Sequence, residues 1–283
     1  MPPPQQHPRR RIELSAVPDA SPCHLTESGN HDYNEYHTKG SHMTVARDQI
    51  ITIPLSLTNS YLIDGDQGSL LVDCGRKEDE ALFLRRLHGL GRSLASIRWL
   101  FLTHHHSDHC GLLPFLVRQN PDIQVFMSKT CAEYLMSGVH FHPHEERFAS
   151  KALGLAFGWY SNVSGTLRDT FEPYQIREED WLFDQPDQAL PDCTGIKGRI
   201  LLTPGHTPDS SSLILRSHAC VGDAARNILG FLGAPHLPIL LYDEKLCRES
   251  WNHLRSMHVE LIFPGHGRRI PMEHLMGTFY ETR

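Results

Sequence analysis

The run Thr103-His104-His105-His106-Ser107-Asp108-His109-Cys110-Gly111 sets four histidines and one carboxylate within six positions. It directly follows the apolar run Trp99-Leu100-Phe101-Leu102. A strand that delivers imidazole nitrogens and a carboxylate oxygen together suits a borderline divalent cation such as zinc. His104 and His106 are two apart, so an extended chain points both the same way, and His105 faces away from them. Asp108 and His109 fall where the chain turns into a helix and face a second point nearby. Four other strand-like runs end in a polar residue beside glycine: Val72-Asp73-Cys74-Gly75, Thr203-Pro204-Gly205-His206, Val221-Gly222-Asp223 and Phe263-Pro264-Gly265-His266. One Gly-His is ordinarily a loop histidine. Repetition at successive strand tips indicates a shared rim, where ligands gather in α/β sheets. His104, His106, Asp108, His109, His206, Asp223 and His266 make seven donors, enough for two ions that share a bridging carboxylate.

The elements that must position these residues follow from periodicity. Strands are predicted at Ile51–Ile53, Ser60–Ile63, Ser69–Val72, Trp99–Leu102 and Ile123–Met127. Helices are predicted over Glu78–Leu90, where Ala81, Leu82, Leu84 and Leu87 form a stripe closed by Gly89 and Gly91, and over Leu112–Gln119. Residues 129–183 read as a mostly helical insert with several aromatics. Strands return at Arg199–Leu202, Ser212–Leu215, Ala219–Val221 and Leu261–Phe263, with a helix over Glu244–Met257. The order implies a layered α/β domain.

Composition bounds the rest. The chain has 283 residues, 40% of them hydrophobic, enough for one large domain. Its formal net charge of -6 argues against a dedicated nucleic-acid surface. No apolar run reaches the length of a membrane span. Arg9-Arg10-Arg11 is followed by no apolar segment, so no secretory or twin-arginine signal is expected. The 7 cysteines include no CxxC pair and suit free thiols in a reducing cytoplasm. Residues 1–45 lack any periodic apolar pattern and read as a disordered extension. Gly40-Ser41-His42-Met43 within it has the form of a vector junction, or of a chance tetrapeptide.

The set His104-x-His106-x-Asp108-His109, with Asp73 upstream and His206, Asp223 and His266 downstream, resembles the metallo-β-lactamase-fold hydrolase superfamily over about Asn59 to Gly267. The resemblance implies a four-layer αβ/βα sandwich with metals at one edge, spanning residues 46–283. It assigns His104, His106 and His206 to one ion, Asp108, His109 and His266 to the other, and Asp223 to the bridge. Asp73 would orient the site from behind the ligands. Zinc is the expected pair of cations, with iron or manganese as alternatives. A hydroxide held between the ions would attack a carbonyl carbon or phosphorus, and Asp108 and Asp223 would tune it and pass a proton to the leaving group.

Departures within the superfamily narrow the choice. Asp223 stands where well-known true β-lactamases have cysteine or serine, and resembles the thioesterase, lactonase, phosphodiesterase and RNase branches. His106 stands where the flavodiiron branch has glutamate. The helical substrate domain of glyoxalase II and the large insertion of mRNA-processing nucleases are not evident. A small-molecule ester, thioester or lactone is therefore the expected substrate, with no membrane partner. The alternatives are a phosphodiesterase or RNase, an iron-dependent thiol dioxygenase, and a non-catalytic metal-binding module. The insert 129–183 reads as a lid whose aromatics favour an apolar organic substrate. Weaker signals are the alternating His140, His142 and His144, read as chance or pocket lining, and Cys110, read as a packed residue. Asn227 is read as a substrate contact, a helix cap or a surface residue, and Trp159, Tyr160 and Tyr242 as core or pocket wall.

Overall fold

The computed structural model describes residues 49–140, 147–164 and 171–281. The expected extension at residues 1–45, and with it His142 and His144, lies outside the described residues. The first half runs β1 (Ile50–Pro54), β2 (Asn59–Gly65), β3 (Gly68–Val72), α1 (Glu80–Gly89), β4 (Ile97–Phe101), α2 (Ser107–Cys110), α3 (Leu113–Gln119), β5 (Gln124–Ser128), α4 (Lys129–Ser137), β6 (Arg147–Phe148), α5 (Lys151–Ser164) and β7 (Trp181–Phe183). The second half runs β8 (Asp187–Ala189), β9 (Arg199–Leu202), β10 (Ser211–Leu215), β11 (His218–Asn227), β12 (Leu240–Leu241), α6 (Glu244–Ser256), β13 (Leu261–Gly267), β14 (Ile270–Pro271) and α7 (Met272–Glu281).

Each half builds one mixed six-stranded sheet, in the orders β1-β2-β3-β4-β5-β7 and β14-β13-β11-β10-β9-β8. Side chains alternate across a strand, and here both faces are covered. Tyr61, Ile63, Leu70, Val72, Phe101 and Phe126 meet Ile200, Leu213, Leu215 and Phe263 in the layer between the sheets. Their sequence neighbours Leu62, Leu71, Leu100 and Val125 face outward, beneath Phe83, Leu113, Leu116 and Leu135 of the first-half helices. Trp251 and Leu254 of α6 and Leu275 of α7 cover the second sheet. The result is a four-layer αβ/βα sandwich. Burial on both faces explains why the strands read as nearly continuous apolar runs. Among the described residues no helix is long and apolar enough to cross a membrane.

Three sequence expectations change. Among the described residues of the segment 129–183, the helices α4 and α5 are accompanied by the short strand β6, and the segment ends not in helix but in β7. Trp181, Leu182 and Phe183 pair with Phe126, Met127 and Ser128, so these aromatic and aliphatic residues extend the first sheet. The extended stretch before β7 is tied down by Asp180, which accepts from Val125 N–H (3.2 Å) and Tyr174 Oη (2.6 Å) and pairs with Arg177 (2.9 Å). Second, Asp223 stands inside β11 rather than at its end, whereas His266 is the last residue but one of β13. β11 and β13 continue past them as an irregular pair whose register shifts on either side of Gly222. Third, Cys74, Cys110, Cys131, Cys220 and Cys247 are free and buried, but Cys193 is disulfide-bonded.

Candidate metal centre

β3 and β4 are parallel neighbours, and their ends bring Asp73 beside Thr103. Asp73 has a positive φ of 54°, which aims its carboxylate inward. Its Oδ1 accepts from Thr103 N–H (2.9 Å), and its Oδ2 accepts from the Thr103 hydroxyl (2.8 Å) and from His109 Nδ1–H (2.8 Å). The Thr103 oxygen, having given its proton to Asp73, accepts from His104 Nδ1–H at 3.0 Å. His206 Nδ1–H donates to Leu240 O (2.8 Å) and His266 Nδ1–H to Leu57 O (3.0 Å). Carbonyl and carboxylate oxygens only accept, so in all four rings the neutral form carries its proton on Nδ1 and presents the Nε2 lone pair. His106 is turned the other way, with Nδ1 3.0 Å from His206 Nε2.

These lone pairs converge. Ligand atoms of His104, His106 and His206 lie within 4.8 Å of one another, as do those of Asp108, His109 and His266, and those of His104, His109 and Asp223. Asp223 sits between the two trios. Its Oδ1 is 3.2 Å from His109 Nε2, and its Oδ2 is 3.3 Å from His266 Nε2 and 3.7 Å from His206 Nε2. Asp108 Oδ2 lies 3.3 Å from His266 Nε2. All seven residues expected from the sequence are thus brought together. Among the described residues, the buried Nε2 of His104 has no hydrogen-bond partner, and the buried Nε2 of His109 and Oδ1 of Asp223 have only the 3.2 Å approach to each other. Such groups cost about 1–3 kcal/mol each when left unmet. A set of them aimed at one small volume, each ring fixed from behind, fits a pair of divalent cations.

The electrostatics divide the cluster in two. Burial, with the neighbouring imidazoles adding to it, drives His104 and His106 well below the usual histidine range. Burial also disfavours the His109 and His266 cations, but the carboxylates prevail. Asp223, Asp108 and Asp73 raise His109 well above that range, and Asp223 and Asp108 bring His266 up to about 10. Burial would raise the two acids. Instead His109 and His266 bring Asp108 down to about 2, and His266 and His109 hold Asp223 well below the usual carboxylate range. Protons on His109 and His266 therefore occupy the electrostatic position of a cation.

Two glycines make room. Gly222 has φ 52°, and a Cβ there would meet Thr103 Oγ1 at 2.2 Å. A Cβ on Gly265 would lie 2.4 Å from His109 Cε1 and 2.6 Å from Asp223 Oδ1.

Sequence reasoning missed Asp209. Its carboxylate accepts from His105 N–H (2.9 Å) and His105 Nδ1 (2.9 Å), both fully buried. It thereby turns His105 out of the cluster and fixes the backbone between His104 and His106. The available signal was its place just after the ligand-bearing loop, in Gly205-His206-Thr207-Pro208-Asp209. His140 stacks nearly parallel on His106, with ring centroids 5.1 Å apart and planes at 9°. Cys110 is buried and its thiol donates to His105 O at 3.1 Å, so it is a packed residue. Asn227 is a surface residue outside the cluster: it is exposed at the end of β11, where its amide donates to Arg268 O (3.1 Å). Tyr242 is half-buried next to the site, its N–H bonded to His206 O (3.1 Å). The side chains of Trp159 and Tyr160 are not among those described.

A pair of mixed sheets in a four-layer sandwich, with imidazoles and carboxylates gathered at one edge, defines a class of metal-binding α/β protein. The profile of the metallo-beta-lactamase superfamily matches residues 53–266, and the chain belongs to that superfamily. A metallo-beta-lactamase fold-containing protein of Sulfurisphaera tokodaii is 25% identical over 219 residues, covering 76% of each chain. Ribonuclease J of Mycoplasma genitalium is 24% identical over 187 residues, covering 62% of this chain and 30% of that protein. The chain covers 17% of the length of a Synechocystis diflavin flavoprotein, with which it is 33% identical over 100 residues, 35% of this chain. Among solved structures, a Thermus thermophilus metallo-beta-lactamase family protein superposes with a TM-score of 0.56 at 20% identity. The superposition covers 82% of this chain and 79% of that one, a likeness of fold.

Proposed function

We propose that the protein is a dinuclear metal-dependent hydrolase acting on a small-molecule ester, thioester or lactone. The single observation that carries this reading is the convergence of five imidazoles and two carboxylates, with lone pairs directed into one buried volume. His104, His106 and His206 would hold one cation and Asp108, His109 and His266 the other, with Asp223 shared between them. Two such cations supply Lewis acidity and a nucleophile at neutral pH. Zinc suits the donor set best, since four-coordinate nitrogen and oxygen ligation is its usual habit.

The residues contribute orientation and proton handling. Asp73 and Thr103 fix the rings of His104 and His109 through the hydrogen bonds described above. Asp223 would offset part of the positive charge that two divalent cations bring. Asp108 is the more exposed of the two carboxylates, at 28% against 14% for Asp223. Its carboxylate would take a proton from the attacking water and return it to the leaving group. The net charge of -6 supports a small-molecule substrate over a polyanion. The five buried free thiols support a cytoplasmic setting, and the disulfide-bonded Cys193 counts against it.

The test couples elemental analysis to a panel of esters, thioesters, lactones and phosphodiesters. Two equivalents of metal with turnover of a carbonyl substrate are expected. In Asp223→Ala, turnover should fall by at least about a thousandfold with the circular dichroism of the parent. Near-parental activity with unchanged metal content in that variant would refute the assignment. Selective hydrolysis of the phosphodiesters would favour the nuclease reading, which the similarity to ribonuclease J supports.

A further inference from the structure

The β1–β2 hairpin serves one of the two candidate cation sites and not the other. β1 and β2 pair as far as Pro54 and Asn59, and the loop between them is closed by Leu55 N–H donating to Thr58 O (2.8 Å). Ser56 N–H donates to Asp79 Oδ1 (3.2 Å), which fastens the loop to the start of α1. From this fixed place the hairpin reaches Asp108 and His266. Leu57 O accepts from His266 Nδ1–H, and the buried Thr58 hydroxyl donates to Asp108 O (3.0 Å). Asn59 and Tyr61 are two apart, so they point to the same face of β2, where they meet the chain around His266. The Asn59 amide donates to Gly267 O (2.8 Å) and Pro264 O (3.3 Å), and the buried Tyr61 hydroxyl donates to Pro264 O (2.6 Å). Gly265 and His266 are bracketed between these carbonyls.

The hairpin stands in for a strand. β14 pairs with β13 only at Leu261 and Ile262, so among the described residues the ligand-bearing end of β13 has β11 on one side and no strand on the other. A buried carbonyl needs a donor, and Pro264 O finds two, both on side chains of the opposite sheet. The site of three imidazoles has other supports. His104 is fixed by Thr103 and His206 by Leu240 O. Among the described residues, no hydrogen bond from β1, β2 or their loop reaches His104, His106 or His206.

We infer that Thr58, Asn59 and Tyr61 are positioning residues that set the affinity of the Asp108–His109–His266 site alone. Without their donors the peptides that carry Asp108 and His266 can turn, and a cation must order them as it binds. That cost falls on this site and not on its neighbour. At limiting metal the hairpin therefore decides whether the protein carries one cation or two. This inference rests on the two-cation reading.

The test titrates zinc into the full-length, chelator-treated protein against a chromophoric chelator and resolves two stepwise affinities. In Asn59→Ala and in Tyr61→Phe, one of them should weaken about 10–100-fold while the other keeps its parental value. Cobalt substitution assigns the loss: the site that remains should give the visible spectrum of His266→Ala, not that of His206→Ala. Thr58→Val should act in the same direction, and Thr58→Ser, which keeps the hydroxyl, should restore the parental affinity. This pair keeps the test decisive where Asn59→Ala does not fold. Ile63→Val trims a buried side chain of the same strand without touching those carbonyls, and should leave both affinities unchanged. Equal weakening of both steps, a remaining spectrum like that of His206→Ala, or no weakening at any of the three positions overturns the inference. So does an Ile63→Val variant that weakens the same site as much as Tyr61→Phe, since the hairpin would then act through packing. If the parent takes up two cations and the variants fail in one of these ways, the hairpin role fails alone. If the parent takes up only one, the two-cation reading fails and the inference with it.

Discussion

At the residue scale, Asp73 links the two sides of the centre. One carboxylate fixes His109 directly and His104 through the Thr103 hydroxyl. Asp73→Asn keeps the shape but replaces an acceptor oxygen by an NH2 group, so one donor in that chain must turn away. Metal affinity, read by competition with a chromophoric chelator, should weaken about 10–100-fold; unchanged affinity would remove Asp73 from the orienting role. Gly265 gives a second test. Gly265→Ala places a methyl group 2.4 Å from His109 Cε1. It should lose at least one equivalent of metal while its far-UV circular dichroism stays that of the parent. The ligand residues were legible in the sequence because His104, His106, Asp108 and His109 crowd one turn and His206, Asp223 and His266 each follow a glycine. Asp209 and Arg226 were not, because their partners are a buried imidazole and backbone carbonyls that spacing alone does not reveal.

At the scale of elements, the strands were readable where both faces are buried, as in Leu70-Leu71-Val72 and Trp99-Leu100-Phe101. β7 was not, because three residues carry too short a pattern and only pairing with β5 makes them a strand. β11 was longer than expected, because Gly222 breaks its periodicity while the pairing with β13 resumes beyond it. α6 matters to the centre through Trp251, fully buried, whose Nε1–H donates to Ala224 O (2.7 Å) directly after Asp223. Trp251→Ala should cost about 3–5 kcal/mol of stability in urea denaturation. It should also weaken metal binding, because the backbone that carries Asp223 loses its support. Loss of stability without any change in affinity would mean that α6 only packs.

For the whole molecule, charge couples metal to pH. His266 has its pKa raised from about 6.5 when unfolded to about 10 in the metal-free fold. Its contribution to stability is complete below about pH 6.5 and is lost as pH rises through about 10. Asp108 works at the other end, contributing above about pH 3.9 and ceasing as pH falls through about 2. Cation uptake must expel the protons on His109 and His266, so affinity increases with pH. Urea midpoints with and without zinc, taken at pH 6, 8 and 9.5, should diverge steadily; a gap independent of pH would contradict this charge assignment.

Each candidate cation site draws on both sheets. His104 and His106 follow β4 and meet His206 after β9, and Asp108 and His109 on α2 meet His266 on β13. Neither half of the chain can complete a site alone. During synthesis the ribosome must release residue 206 before the first set of donors exists and residue 266 before the second. Loading of the proposed pair of cations would therefore be a late event, out of reach of a nascent chain that stops short of residue 266.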